Sequence, residues 1–141
     1  MAKEIKLKLE FDDDFDFDLV AISCHNLDYQ LVFEINKLLG FKFEKCQDPY
    51  LIKRKDWSFE TPSFYEYIDE EQRIEMFLVK NKILNKLLMK ELNHVDYFLI
   101  IKENLSQEMK HLIAELRKIE IVLHAQEIDP TNFDSAKNLE F

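Results

Sequence analysis

The chain has 141 residues, of which 47% are hydrophobic and 13% aromatic. This length is typical of one domain, and so high an aromatic content excludes a disordered chain. A single glycine excludes every motif that needs two, among them the phosphate-binding P-loop and the dinucleotide-binding fingerprint. The formal net charge of −9 argues against a nucleic-acid partner, because phosphate backbones are bound by cations.

The sequence carries no signal for secretion or for a membrane. The N-terminus alternates charged and apolar residues, and the longest uncharged apolar run, residues 97–101, is far shorter than the roughly 20 residues that span a bilayer. Cys24 and Cys46 are too few and too far apart for a zinc knuckle and fit reduced thiols. We therefore expect a cytoplasmic protein with no membrane partner, no metal and no other cofactor.

The first elements are predicted to be strands. Apolar residues alternate with charged ones over residues 5–11, and this period of two predicts a strand with one buried face. After an acidic turn at residues 12–14 the alternation resumes. Residues 15–23 are therefore predicted to form a second strand, a hairpin partner of the first, with a helix over 18–24 as the alternative.

The next segment carries the clearest helical pattern. Asn26 is a predicted N-cap, Asp28 lies in the first turn, and Gly40 stands where a left-handed residue ends a helix. The sequence therefore predicts a helix over 27–39 and assigns its one glycine to helix termination. The apolar stripe of this helix is Leu31, Val32, Ile35, Leu38 and Leu39.

The middle of the chain is predicted to be rich in strands. Phe41, Phe43 and Cys46 lead to a turn at Asp48-Pro49, and three further strands are predicted over 50–55, 64–68 and 74–79. Thr61-Pro62-Ser63 and Asp69-Glu70-Glu71 are turn signals between them. Residues 82–92 are compatible with a helical turn or a loop. Residues 95–101 are almost continuously apolar, which predicts a central strand buried on both faces.

The C-terminal part supplies a second helix and a last strand. Ser106 is the predicted N-cap of a helix with an apolar stripe, and residues 121–125 form the strand. These two strands flanking the helix, 95–101 and 121–125, are expected to be the one parallel pair, joined by a right-handed crossover. The stripe is Met109, Leu112, Ile113, Leu116 and Ile119.

Together these elements predict an α+β fold. We expect a mostly antiparallel sheet of about six to seven strands, with two main helices packed on one face. Residues 1–128 form the single globular domain in this interpretation, and residues 129–141 form a loosely ordered C-terminal tail.

No spacing of residues indicates a reaction. The acidic run over residues 10–18 lacks the glycine and glutamate of a calcium loop and indicates a solvated turn. Cys24 and His25 are neighbours in a predicted strand and so point to opposite faces, which favours a core thiol over a nucleophile. No two histidines share a helical face, which leaves a folded site joining His94 and His124 as the open alternative.

An aromatic patch adjoins a basic triplet. The patch comprises Trp57, Phe59, Phe64, Tyr65 and Tyr67, and the triplet comprises Lys53, Arg54 and Lys55. Cross-strand aromatic pairs explain such a pattern more simply than stacking on bases, given the net negative charge. Weak binding of single-stranded nucleic acid through Lys53–Lys55 and Trp57 stays an alternative. An exposed half of the patch would be a protein–protein surface.

Glu91, followed after three residues by Val95, Asp96 and Tyr97, resembles the signature of the IPExxxVDY family, a group of small uncharacterised bacterial proteins. Residues 15–19, 22–24, 28–29 and 38 resemble the same family, so the resemblance covers roughly residues 4–102. Met89-Lys90 stands where the family has Ile-Pro. The resemblance implies a cytoplasmic one-domain protein and no particular activity.

Asp96 lies in an apolar strand, where a carboxylate needs a hydrogen-bonding partner. We expect Glu91 and Asp96 to have structural roles; in the alternative they are an acid/base pair, with His94, in a small hydrolase or isomerase. Because no catalytic motif is present, the leading expectation is a non-enzymatic interaction module. It would form a homodimer through a sheet edge or the aromatic patch, or bind an unidentified protein.

Overall fold

The computed structural model describes residues 16–46, 50–53, 58–61, 64–83, 85–104 and 108–139, with the backbone alone for 50–53 and 58–61. Several features of the sequence analysis lie outside these ranges. They are the predicted strand over 5–11, the turn at Asp48-Pro49, the residues Arg54, Lys55 and Trp57, and the cap Ser106. The described strands and α-helices are β1 (Asp18–Ser23), α1 (Asp28–Leu39), β2 (Glu44–Cys46), β3 (Tyr50–Lys53), β4 (Ser58–Thr61), β5 (Phe64–Asp69), β6 (Ile74–Lys80), β7 (Lys82–Ile83), β8 (Lys86–Leu87), β9 (Tyr97–Asn104), α2 (Met109–Leu116) and β10 (His124–Ile128). Short 3-10 helices span Lys90–Leu92, Pro130–Asn132 and Asp134–Leu139.

Six strands form one sheet in the order β10-β1-β9-β6-β5-β2, and each pair of neighbours is antiparallel. Two small antiparallel hairpins, β3–β4 and β7–β8, accompany it. The prediction of an α+β fold with a mostly antiparallel sheet is confirmed.

The position of β1 corrects one expectation about strand pairing. β1 lies between β9 and β10 and pairs antiparallel with both, so those two strands run in the same direction without being neighbours. The predicted parallel pair is therefore wrong. Both edges of β1 are occupied by described strands, whereas the predicted hairpin partner at residues 5–11 lies outside the described residues. The physical reason is burial. Residues 19–22 are at most 2% exposed, so their backbone N–H and C=O groups cannot bind water and need a hydrogen-bonded strand at each edge.

Both α-helices cover one face of the sheet. Val20 and Ile22 of β1 point to this face and belong to the same buried cluster as the apolar sides of the helices. The predicted placement of two helices on one face is thereby confirmed. The helical contribution to this helix-side core comes from Leu31, Val32 and Ile35 of α1 and from Leu112, Ile113 and Leu116 of α2.

The opposite face is covered by segments that are not α-helical. Leu19 and Ala21 point there, because successive residues of a strand alternate in direction. They share a buried cluster with Leu88, Ala136 and Leu139. The sequence assigned residues 129–141 to a loose tail; the described part of that segment is two 3-10 helices, and Ala136 and Leu139 have no exposed surface. An apolar sheet face needs such a cover, because its exposure to water is unfavourable.

Helix α1 begins one residue later than its predicted cap implies. Leu27, not Asn26, is the N-cap residue, and a leucine side chain accepts no hydrogen bond. The side chain of Gln30 instead accepts from the Leu27 amide at 3.1 Å, which is one half of a capping box. At the other end Gly40 has φ +70° and donates to the carbonyl of Asn36, as predicted for a left-handed terminator.

Other boundaries follow the local patterns to within a few residues. Residues 18–23 form a strand rather than the alternative helix, and β5, β6 and β9 begin and end within three residues of their predicted bounds. Residues 82–92 contain the β7–β8 hairpin and a 3-10 turn. Strand β4 was not predicted, α2 follows Glu108, and β10 lies three residues beyond its predicted start. Within the described ranges, no helix has the length and apolar character needed to cross a membrane.

Candidate functional site

Two consecutive residues of the motif bind the loop that joins β1 to α1 (residues 24–27). The Asp96 carboxylate accepts a hydrogen bond from the Cys24 amide at 2.8 Å, and the Asp96 amide donates to the carbonyl of Ile22 at 3.0 Å. The Tyr97 hydroxyl donates to the carbonyl of Asn26 at 2.7 Å. Asp96 and Tyr97 therefore hold the chain at the point where it leaves the sheet and enters α1.

Burial determines the protonation of this region. It raises the pKa of the Tyr97 phenol, and the nearby carboxylate of Asp28 raises it further, so the hydroxyl stays a donor. Burial also raises the pKa of the Cys24 thiol. A backbone hydrogen bond from Asn26 lowers this pKa, and the negative charge of Asp96 raises it, so the pKa lies above the ordinary value. A thiol that is 1% exposed and holds its proton is a poor nucleophile, whereas the neighbouring His25 is exposed.

Glu91 contacts a different part of the molecule. The Ser135 hydroxyl donates to its carboxylate, and the Ser135 amide lies 3.4 Å from Oε2. Burial raises the pKa of Glu91, but hydrogen bonds from the Ser135 side chain and from backbone amides, together with the charge of Lys90, lower it below the ordinary value. Ser135 precedes Ala136 in the core opposite the helices, while Cys24, the partner of Asp96, lies in the helix-side core. The carboxylates of Glu91 and Asp96 thus bind segments that belong to different buried clusters, on opposite faces of the sheet.

The histidines of the alternative sites lie at the surface. His94 is exposed, and its backbone carbonyl accepts a 3.4 Å hydrogen bond from the Ser23 hydroxyl. The ring of His124 contacts the side chain of Gln126 at 3.0 Å, on the same strand. Among the residues that the structure describes, no group of three or more His, Cys, Asp or Glu side chains could hold a metal ion.

Asn81 organises the segment that precedes the motif. Its side chain is fully buried and donates to the carbonyls of Leu92 and Val95 at 3.0 and 2.9 Å, while its oxygen accepts from the Met89 amide at 2.9 Å. Its backbone amide donates to the carbonyl of Asp96. The sequence analysis missed Asn81, because one polar residue directly after an apolar strand has no distinctive spacing.

The predicted aromatic patch is part of the core where its side chains are described. Phe64, Tyr65 and Tyr67 are at most 9% exposed. The ring of Tyr67 packs 5.2 Å from that of Phe41, and the ring of Phe64 packs 6.0 Å from that of Phe77. These three aromatic residues therefore do not form an exposed interaction surface. Trp57 and the side chains of Phe59 and Lys53 fall outside the described parts.

The exposed apolar surface lies instead on α1. Tyr29 and Phe33 are 57% and 61% exposed on the side of the helix opposite its buried stripe, and we call these two residues with Lys37 the α1 ridge. The Lys37 ammonium lies 5.4 Å from the centre of the Phe33 ring. Beside the ridge runs the α1 groove, of about 450 Å³, lined by Asn26, Tyr29, Gln30, Phe33, Glu34 and Ile121.

Most of the strongly exposed large hydrophobic side chains lie at α1. Six large hydrophobic residues of the described chain are strongly exposed, and four of them lie on α1 or directly before it. Leu38, which the sequence placed on the buried stripe, is one of them at 43% exposed. The sequence signal for this surface was the aromatic pair Tyr29 and Phe33, four positions apart, which the assignment of the buried stripe did not use. The six residues are Leu27, Tyr29, Phe33, Leu38, Ile68 and Leu123.

At the β10 edge of the sheet one backbone carbonyl has a side-chain partner. The Arg117 side chain donates to the carbonyl of Ala125 at 2.9 Å and so covers part of the strand.

A second groove of about 450 Å³ lies at the end of β1 and β10 and carries the carboxylates of Asp18, Glu127 and Asp129. Hydrogen bonds from Thr131 lower the pKa of Asp129, whose carboxylate caps the 3-10 helix that follows it.

No protein-family model matches the chain, and no curated protein matches it.

Proposed function

We propose that the protein is a non-enzymatic cytoplasmic interaction module that forms a homodimer through the α1 ridge. The exposure of Tyr29 and Phe33, 57% and 61%, carries this proposal. Positions on the solvent side of a surface helix are normally polar or charged. Two aromatic side chains there leave apolar area in water, and its removal from water would favour association.

A second copy of the chain is the occupant that this surface fits. A two-fold interface is formed by the same patch on both subunits, so the patch must be complementary to itself. Tyr29 and Phe33 are exposed and also form part of the wall of the α1 groove, so the same patch of each copy offers exposed rings and a groove beside them. Tyrosine and phenylalanine are also the residue types enriched in protein interfaces.

The contacts of the motif support the non-enzymatic part of the proposal. Asp96 binds a backbone amide of the β1–α1 loop and Glu91 binds Ser135, so each carboxylate has a partner that stabilises the fold. Tyr97 likewise binds a backbone carbonyl. The resemblance of these residues to a family motif is consistent with a motif whose residues stabilise the fold rather than catalyse a reaction.

The test is the oligomeric state by sedimentation velocity over a wide range of protein concentrations. We expect a dimer for the unmodified protein and a monomer for Phe33→Glu, because the substitution removes the apolar ring and puts in its place a carboxylate that would lose its hydration in the interface. Ile68→Glu is the matched control, since Ile68 is 51% exposed and lies on β5. A monomeric unmodified protein, or equal dissociation by both variants, would overturn the proposal.

A further inference from the structure

We infer that the second copy packs its α1 antiparallel to the first, with the two-fold axis at Phe33. This inference rests on the proposed self-association and adds its geometry. The spacing of the α1 ridge is its starting point, because Tyr29, Phe33 and Lys37 are each four residues apart and therefore lie in one row along the helix.

Two symmetric arrangements of this row are possible in a closed dimer. In the antiparallel arrangement Phe33 faces its own copy, and Tyr29 of each chain faces Lys37 of the other. In the parallel arrangement each ridge residue faces its own copy, so two Lys37 ammonium groups meet. The charges along the row distinguish the two arrangements.

Lys37 favours the antiparallel arrangement. Its side chain is 63% exposed, its ammonium lies on the Phe33 ring, and Glu34 is 3.7 Å away. In the antiparallel pair this ammonium reaches the Tyr29 ring of the second copy, which is a favourable cation–π contact. In the parallel pair Lys37 repels Lys37 and the two helix dipoles are aligned side by side, which is unfavourable.

The antiparallel arrangement determines which ridge positions face each other across the interface. Packed helices lie about 8–10 Å apart between axes, which brings facing Cα atoms near the roughly 4.4–6.8 Å separation of a disulfide. Facing positions are therefore measurable by cross-linking.

The experiment is mild oxidation of Tyr29→Cys and Lys37→Cys proteins, alone and mixed, followed by mass spectrometry of the disulfide-linked peptides. We expect the mixture to give a 29–37 disulfide several-fold above the 29–29 and 37–37 products, and Phe33→Cys to cross-link to itself. The unmodified protein, with buried Cys24 and partly buried Cys46, and Ile68→Cys measure the background.

The outcomes separate the geometry from the self-association. Predominant 29–29 and 37–37 products in a protein that sediments as a dimer would overturn the antiparallel geometry and leave the homodimer standing. A monomer without cross-links above the Ile68→Cys background would overturn both. In a sedimentation experiment that needs no cysteine, Lys37→Glu is expected to weaken the dimer several-fold and Lys37→Arg to preserve it; equal affinities for the two variants would contradict the role of the cation.

Discussion

The hydroxyl of Tyr97 donates a 2.7 Å hydrogen bond to the backbone carbonyl of Asn26, which lies 71 positions earlier in the chain. Asn26 lines the α1 groove and directly precedes the N-cap residue Leu27. The first residue of β9 therefore holds the loop from which α1 starts. Through this contact the motif at residues 91–97 is connected to the surface that we propose for dimerisation.

Replacement of Tyr97 by phenylalanine is expected to lower the free energy of unfolding by about 1 kcal/mol, because it removes this hydrogen bond and leaves the Asn26 carbonyl partly buried. The measurement is urea denaturation followed by circular dichroism. Tyr29→Phe is the matched control, since Tyr29 is 57% exposed, and it is expected to change stability little. Equal stability of Tyr97→Phe and the unmodified protein would contradict the role of the hydroxyl.

Two substitutions of Asp96 separate its hydrogen bonding from its charge. Asp96→Ala is expected to lower the free energy of unfolding by about 1–3 kcal/mol, because the Cys24 amide loses its acceptor. Asp96→Asn retains an oxygen that can accept from the same amide, so we expect it to recover most of the loss. The check is denaturation of both variants, and a loss that is the same for asparagine and alanine would show that the charge, not the acceptor, stabilises the loop.

The stability of the protein is expected to decrease at alkaline pH. Burial raises the pKa of Cys24, Tyr65, Tyr67 and Tyr97 above the ordinary values of 9.0 for a thiol and 10.0 for a phenol. These groups bind their protons more tightly in the folded chain than in the unfolded chain. Their stabilising effect is therefore complete below about pH 9 and is lost as the pH rises through the folded-state values.

This dependence can be measured by urea denaturation, under reducing conditions, at intervals from about pH 8 to about pH 11. Tyr97→Phe removes one of the titrating groups, so its stability is expected to decline less steeply than that of the unmodified protein. A free energy of unfolding that stays constant over this range would refute the assignment of these groups to the core.

Asn81 is expected to be the most sensitive polar residue of the segment between β6 and β9. Asn81→Ala leaves the Met89 amide and the carbonyls of Leu92 and Val95 without this partner, which should cost about 2–4 kcal/mol. Asn93→Ala is the control at an exposed position and should stay within about 0.5 kcal/mol of the unmodified protein. Thermal unfolding of both variants compares them, and similar melting temperatures would contradict the importance of the buried network.

Local patterns were enough to predict the elements whose causes are local. The spacing of Leu31, Val32 and Ile35 placed α1, Gly40 marked its end, and the apolar run at residues 95–101 marked β9 as a central strand. Each of these signals acts over a few residues, through helical or strand periodicity or through backbone conformation. The residue types of the chain also limited its chemistry, because one glycine cannot build a phosphate-binding loop.

The contacts that define the candidate site depend on residues far apart in the chain. Asp96 binds Cys24 across 72 positions, and Tyr97 binds Asn26 across 71. β1 lies between β9 and β10, where its four most buried residues have neighbours on both sides, and the segment at residues 134–139 covers the face that the helices leave open. Such pairings are selected by the burial of the whole chain, which no window of neighbouring residues can report. The amino-acid pattern thus settled most of the elements and the class of fold, while folding determined which strands became neighbours and which face of α1 remained uncovered.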